Sequence, residues 1–171
     1  MPCVTSYVAM LRAVNVSGTG KLPMAELKAM GEACGFANVR TFIASGNLLF
    51  DSDLSESEVT RLVADKVESY FGKPVPVFVR SAAEMKAVAA DNPFADEPGN
   101  RVVAHFMAAP PTQAMIDAAT GQKDEQLALG KREIYIFYGD GMGTSKLKLP
   151  AFREGTARNL NSVKTIAEML A

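Results

Sequence analysis

Residues 4–11, VTSYVAML, open the stretch of sequence that decides the fold, which runs from Val4 to Arg80. From Tyr7 onward the segment is apolar on both of its faces. That pattern is typical of a strand that is covered on at least part of each side. The segment therefore predicts a strand in the middle of a sheet.

A helix and a hairpin are predicted next. Apolar side chains recur at helical spacing between Pro23, which suits a first helical turn, and Gly35, which suits a helix end. Two short apolar runs then flank the turn residues Ser45, Gly46 and Asn47. Apolar runs around such a turn favour an antiparallel hairpin.

A second helix and a last strand complete this half. Ser55 and Glu58 have the spacing of a capping box at a helix start. Residues 75–79 then form an apolar strand, and Pro76 favours a sheet edge, where a missing amide donor is tolerated. The order strand, helix, strand, strand, helix, strand is that of the ferredoxin-like plait.

A looser copy of this pattern follows in the second half. After a short connector helix that follows Ser81, its elements are a strand at 101–107, a helix after Pro110, a hairpin about Gly130 and a final helix at 160–170. Because no strand pattern follows that helix, we expect a truncated second plait or one that shares residues 74–80. The predicted fold class is α+β, with duplicated ferredoxin-like units at 1–80 and 101–171 and a connector helix and loop at 81–100.

Composition excludes several classes of protein. The chain has 171 residues, of which 48% are apolar and 22% charged, so a disordered chain is excluded. A net charge of −1 gives no general attraction to nucleic acid or to anionic membranes. The sequence contains no signal-peptide pattern and no membrane-length apolar run, so we expect a cytoplasmic protein. Cys3 and Cys34 lack metal or redox spacing and are predicted to be thiols.

Several short motifs together resemble a bacterial family. They are Leu11–Val16, Pro23–Leu27, Val39–Asn47, Asn92–Phe94, Ser145–Leu147 and Thr156–Asn161. In this combination they resemble the domain of unknown function family 1697 (DUF1697) over nearly the whole chain. Ala13 and Leu160 stand where that family typically has glycine and tryptophan. The resemblance implies a pair of ferredoxin-like subdomains in a cytoplasmic protein, and it implies no established activity.

Complete cofactor and metal motifs are missing from the sequence. Residues 18–21, GTGK, follow a strand, but a P-loop would need glycine in place of Asn15 and a hydroxyl in place of Leu22. We therefore interpret this loop, and the glycine-rich loop at 139–143, as connections between elements. One histidine and two unpatterned cysteines do not make a metal site, so neither a metal nor a cofactor is predicted.

The C-terminal segment is the main candidate for a binding site. Its basic residues are Lys146, Lys148, Arg153 and Arg158. Arg158 and the neighbouring Asn159 and Asn161 precede or begin the final helix, whose free amides favour an anion. We therefore predict a small phosphate- or carboxylate-bearing ligand held by Lys146, Arg158, Asn159 and Asn161. The alternative is that Arg158 pairs with an acid and the asparagines cap backbone groups.

Four further residues are candidates for the same site. Arg12 and Asn15 lie where the first strand runs out into a loop, and Ser45 and Asn47 lie in the hairpin turn. Hydrogen bonds within the turn and the loop are the alternative explanation of these polar residues.

Other functions are less well supported. The single histidine, His105, lies within a strand pattern and is interpreted as structural rather than as a general base. A self-associating or protein-binding module remains the main alternative function. Binding of structured RNA would need exposed strand aromatics, and Tyr7 and Phe50 are interpreted as core, so nucleic acid is not an expected partner.

Overall fold

The computed structural model describes residues 4–12, 21–139 and 145–171. Cys3, the segment 13–20 with Ala13 and Asn15, and the loop at 140–143 lie outside the described residues. The chain divides into two compact units, one formed by Met1–Glu84 with Glu168–Ala171 and one formed by Met85–Ala167. Each unit contains one four-stranded antiparallel sheet.

The first unit has the predicted order of elements. Its strands are β1 (Thr5–Leu11), β2 (Ala37–Thr41), β3 (Asn47–Ser52) and β4 (Val77–Ser81), and its helices are α1 (Met24–Ala33) and α2 (Glu56–Phe71). The strand order β2-β3-β1-β4 places β1 in the interior of the sheet and β4 at an edge, as the sequence predicted. The hairpin of β2 and β3 is also confirmed. This topology is the ferredoxin-like plait.

The core of the first unit lies between one face of its sheet and the two helices. The buried side chains of this core include Ala9 and Leu11 on β1 and Phe50 on β3, and the ring of Phe36 stacks on that of Phe50 at 4.0 Å between centroids. The predicted capping box starts α2, because Ser55 and Glu58 exchange side-chain and backbone hydrogen bonds. The apolar periodicity of the sequence therefore predicted this core correctly.

The second unit repeats the strand order of the first. After helix α3 (Ala82–Ala90), its elements are β5 (Val102–Phe106), α4 (Gln113–Asp117), β6 (Gln126–Leu129), β7 (Glu133–Phe137), a 3₁₀ turn (Pro150–Arg153), β8 (Thr156–Asn159) and α5 (Leu160–Leu170). The order β6-β7-β5-β8 matches β2-β3-β1-β4 position by position. Two four-stranded antiparallel sheets with interleaved helices confirm the α+β class with duplicated ferredoxin-like units.

One element of the second unit was predicted wrongly. The sequence interpretation left this unit without its fourth strand, whereas residues 156–159 form that strand, β8, immediately before α5. The strand was missed because its two buried side chains, Thr156 and Arg158, are polar. A hydrophobic alternation therefore does not reveal it.

The second sheet is buried on both faces. Ile134 and Ile136 on β7 belong to a core that also includes Leu147 and Leu149 from the segment before β8. Ala104 and Tyr135 face the opposite side and are at most 2% exposed. Within the described ranges, no helix is long and apolar enough to cross a membrane.

Candidate functional site

The structure brings Arg12, Ser45 and Asn47 to one end of the first sheet. The amide of Leu11 donates to the carbonyl of Gly46 at 2.9 Å, so the end of β1 lies beside the hairpin turn. Asn47 is fully buried, and its side-chain amide donates to the carbonyl of Phe42 and to Ser45 Oγ. These bonds make Asn47 part of the turn, as the alternative explanation in the sequence analysis proposed.

Arg158 is the buried cation of the second unit. Its Nη1 donates to Thr156 Oγ1 at 2.8 Å and to the carbonyl of Ala157 at 2.9 Å. Burial lowers the pKa of Arg158 to about 10, which leaves the guanidinium protonated at neutral pH. In the register of β5 with β8, Arg158 lies opposite Ala104, and on the other side of Ala104 lies Tyr135. Arg158 therefore points to the sheet face shared with Tyr135.

Two backbone amides in the first turn of α5 already donate to acceptors within the protein. Asn159 caps the helix, because its Oδ1 accepts from the amide of Ser162 at 2.8 Å. The amide of Leu160 donates to the carbonyl of Gly99 at 3.1 Å. Asn161 is exposed, and its Oδ1 lies so close to Gly99 that a side chain at that glycine would collide with it. The helix start thus offers fewer amides to a ligand than the sequence alone suggested.

Lys146 does not lie beside Arg158. The segment that carries Lys146 places Leu147 and Leu149 in the core on the face of Ile134 and Ile136, and Arg158 points to the other face. Lys146 itself is exposed. Of the four residues predicted for this part of the site, Arg158 and Asn159 end β8 and Asn161 lies in the first turn of α5.

The charge at the start of α5 differs from that of the other long helices. Acidic side chains occupy the first turns of α1, α2 and α3, namely Glu26, Glu56, Glu58 and Glu84. The first turn of α5 carries no acid. The helix therefore places no carboxylate of its own first turn at its positive dipole end.

The buried arginine belongs to a feature that occurs in both units. Arg80 at the end of β4 and Arg158 at the end of β8 are each almost fully buried, and each donates from Nη1 to the carbonyl of the preceding residue. The next residue caps the following helix in both cases, through Ser81 Oγ before α3 and through Asn159 Oδ1 before α5. The hydrophobic pattern of the sequence did not indicate this repeat. It is recognised only when the strand orders of the two units are compared.

His105 has a structural environment. It is 4% exposed, and its Nε2 lies 3.0 Å from the carbonyl oxygen of Ala151 and 2.5 Å from that of Glu154. Two carbonyl oxygens can only accept, so Nε2 carries a hydrogen and donates to them. His105 is therefore a buried and hydrogen-bonded residue of β5, which agrees with its interpretation as a core histidine.

A polar cluster in the first unit was missed by the sequence analysis. Ser6, Asn38, Arg40 and Asp51 line a groove of about 480 Å³ together with Val39, Leu170 and Ala171. No local pattern in the sequence marks this set, because its residues lie on three strands. Only the register, which pairs Ser6 with Asp51 and Ala37 with Asp51, brings them together.

Comparisons with known proteins agree with the fold. A conserved bacterial protein from Streptococcus pneumoniae is similar in structure, with a TM-score of 0.77 and 26% sequence identity over 99% of this chain and 100% of that chain. Comparison with curated proteins gave no significant match. The profile of the DUF1697 family, described as a protein of unknown function, matches residues 4–135, which is more than half of the sequence, and the chain therefore belongs to that family.

Proposed function

We propose that this chain is a cytoplasmic protein that binds a small phosphate- or carboxylate-bearing ligand at the start of α5. The observation that carries the proposal is the combination of a buried, protonated Arg158 with a following helix whose first turn has no acid. A guanidinium and a helix N-terminus both favour an anion, and a guanidinium can bind two oxygens of a carboxylate or phosphate at once.

The contacts at this helix start refine the proposed ligand shell. Because Leu160 and Ser162 already donate their amides, the helix contributes chiefly its dipole and the exposed residue Asn161. Lys146 lies on the other side of the sheet and is left out of the proposed shell. The proposed residues are therefore Arg158 and Asn161, with Asn159 fixing the geometry of the turn.

Two other functions have less support. Tyr7 and Phe50 are 6% and 0% exposed, so neither can stack on a nucleotide base. The large exposed apolar side chains among the described residues are Val4 and Ile43, outside the helices and strands, Tyr70 on α2 and Leu129 on β6. Scattered apolar side chains of this kind are normal on a monomer. These side chains therefore do not point to an interface between copies of the chain. Light scattering of the ligand-free protein tests whether it self-associates.

The proposal is tested by thermal shift and calorimetric titration with inorganic phosphate and with malonate. The decisive variant is Asn161→Asp, which places a carboxylate in the first turn of α5 at an exposed position. The variant should fold, since an acid in a first turn stabilises a helix by about 0.3–1 kcal/mol. Binding of both anions should nevertheless weaken, because the new carboxylate repels them.

A matched control separates this local effect from net charge. Lys146→Gln changes the net charge by the same amount, in the same unit, at an exposed residue on the other side of the sheet. Lys146→Gln should leave phosphate and malonate binding unchanged. If neither anion binds the wild type, or if Asn161→Asp and Lys146→Gln weaken binding equally, the proposed site is wrong.

Arg158→Lys provides a second and independent variant. Lysine keeps the charge but loses the planar pair of donors that fits two oxygens. Binding of both anions should weaken in this variant even under conditions in which its far-ultraviolet circular dichroism equals that of the wild type. Unchanged anion binding by a folded Arg158→Lys variant would remove Arg158 from the site.

A further inference from the structure

The groove in the first unit holds one negative and one positive side chain in fixed positions. Asp51 comes from β3 and Arg40 from β2, and both line the groove with Ser6 of β1. The cavity volume of about 480 Å³ is within the range of small-molecule sites. Ser6 and Asp51 alternate with residues of the helix-facing core, so the two side chains lie on the other face of the sheet.

The carboxylate of Asp51 is oriented by neutral donors. Ser6 Oγ donates to Oδ1 at 2.7 Å, and Asn38 Nδ2 donates to Oδ2 at 2.7 Å. The hydrogen bond from Asn38 is the largest cause that lowers the pKa of Asp51, and the field of Arg40 lowers it further. A carboxylate can accept about four hydrogen bonds, so Asp51 retains acceptor capacity toward a ligand.

The guanidinium of Arg40 is oriented by backbone carbonyls. Its Nη1 donates to the carbonyl of Asn38 at 2.6 Å, and its Nη2 donates to the carbonyl of Met169 at 2.5 Å. Both acceptors are neutral, so these bonds fix the position of the positive charge and do not cancel it. A guanidinium has five N–H donors, which exceeds the number used in these two bonds.

Asn38 positions both charges at once. Its side chain binds Asp51 and its carbonyl binds Arg40, and its φ of 50° lies in the left-handed region. The register of β2 with β3 shifts between Ala37 and Arg40, so Asn38 lies at a β-bulge. Bulges and left-handed residues redirect side chains and concentrate at binding sites.

We propose that this groove binds a small zwitterion, with Asp51 receiving an ammonium group and Arg40 receiving a carboxylate. A simple anion would be repelled by Asp51, and a metal cation would meet one carboxylate and a guanidinium. A molecule that carries both charges is the class for which both groups contribute favourably. This site is distinct from the one proposed at the start of α5, because its charged side chains lie on β2 and β3 and only the C-terminal end of α5 borders the groove.

The test uses NMR titration with glycine, β-alanine and γ-aminobutyrate, whose charges are separated by increasing lengths of methylene chain. At least one of them should shift the amide signals of residues that line the groove. N-acetylglycine, which lacks the ammonium group, and ethylamine, which lacks the carboxylate, should bind at least about tenfold more weakly. Inorganic phosphate should not compete, which separates this result from failure of the site at α5.

Variants then assign the two charges. Asp51→Asn and Arg40→Gln should each weaken binding of the best zwitterion by about tenfold or more. The matched controls Asp53→Asn and Arg61→Gln make the same charge changes at exposed residues of the same unit that do not line the groove. The proposal is overturned if none of the three zwitterions shifts groove signals. It is also overturned if N-acetylglycine and ethylamine bind as well as the zwitterions. This comparison uses the wild-type protein, so it remains decisive even if Arg40→Gln fails to fold.

Discussion

Replacement of Gly155 by alanine tests how the chain reaches β8, the strand that carries Arg158. Gly155 has a φ of 81°, and a Cβ at this position would lie well under 3.0 Å from the carbonyl oxygen of Phe106 and 2.9 Å from His105 Nε2. Two costs follow from this geometry. The left-handed conformation costs alanine about 1–2 kcal/mol. The collision with a backbone oxygen of the central strand β5 adds about 1–3 kcal/mol, as overpacking does elsewhere.

Gly35→Ala is the matched control for this prediction. Gly35 has nearly the same φ, 83°, but apart from its neighbours along the chain no heavy atom lies within 4 Å of the position of its Cβ. In both variants a stabilisation of about 0.4–1 kcal/mol offsets part of this cost, because alanine restricts the unfolded chain more than glycine does. We therefore expect Gly35→Ala to lower the free energy of unfolding by at most about 1.6 kcal/mol and Gly155→Ala by about 1–4.6 kcal/mol.

Urea denaturation followed by circular dichroism measures both values. The difference between the two variants isolates the collision, because the conformational cost is common to both. Equal losses of stability in Gly35→Ala and Gly155→Ala would refute the close approach of the turn to β5. They would show that the left-handed conformation alone accounts for the effect.

Two further predictions concern polar side chains. Because hydrogen bonding lowers the pKa of Asp51 in the folded state, its contribution to stability is present above its unfolded pKa of about 3.9 and is lost as the pH falls through the folded value. The stability difference between the wild type and Asp51→Asn should thus be constant from neutral pH to about pH 5 and shrink at lower pH; a difference independent of pH down to the acid transition would contradict it. His105→Leu should lower the free energy of unfolding by about 1–3 kcal/mol, because the carbonyls of Ala151 and Glu154 lose their donor. A neutral effect in urea denaturation would show that water replaces the imidazole.

Local patterns in the sequence predicted most of the fold. The capping box at Ser55 depends on residues three positions apart and forms as expected, and Ser81 and Glu84 form a second one at the same spacing. The helix stripes and the hairpin turn at 45–47 are equally local. Such signals survive in a single sequence because neighbouring residues determine them.

The sites could not be predicted in the same way, because they depend on strand register. Lys146 and Arg158 are close in sequence, yet the segment of Lys146 packs on the sheet face opposite to that of Arg158. Ser6 and Asp51 are 45 positions apart, yet they share a hydrogen bond of 2.7 Å. Closeness in the sequence therefore did not predict which polar side chains lie close together in the structure.

The duplicated arginine indicates which part of the α5 site is specific to it. Arg80 and Arg158 are both buried and both donate to the preceding carbonyl, so burial of an arginine at this position is a property that both units share. The helices that follow differ, because Glu84 places a carboxylate in the first turn of α3, whereas the first turn of α5 has none. A structural requirement for the arginine would apply to both units, whereas attraction of an anion would apply only where the dipole is not neutralised. Residue 161 therefore tests the proposed function more directly than Arg158 does, because a charge there changes the electrostatics that distinguish α5 from α3 and leaves the shared buried arginine in place.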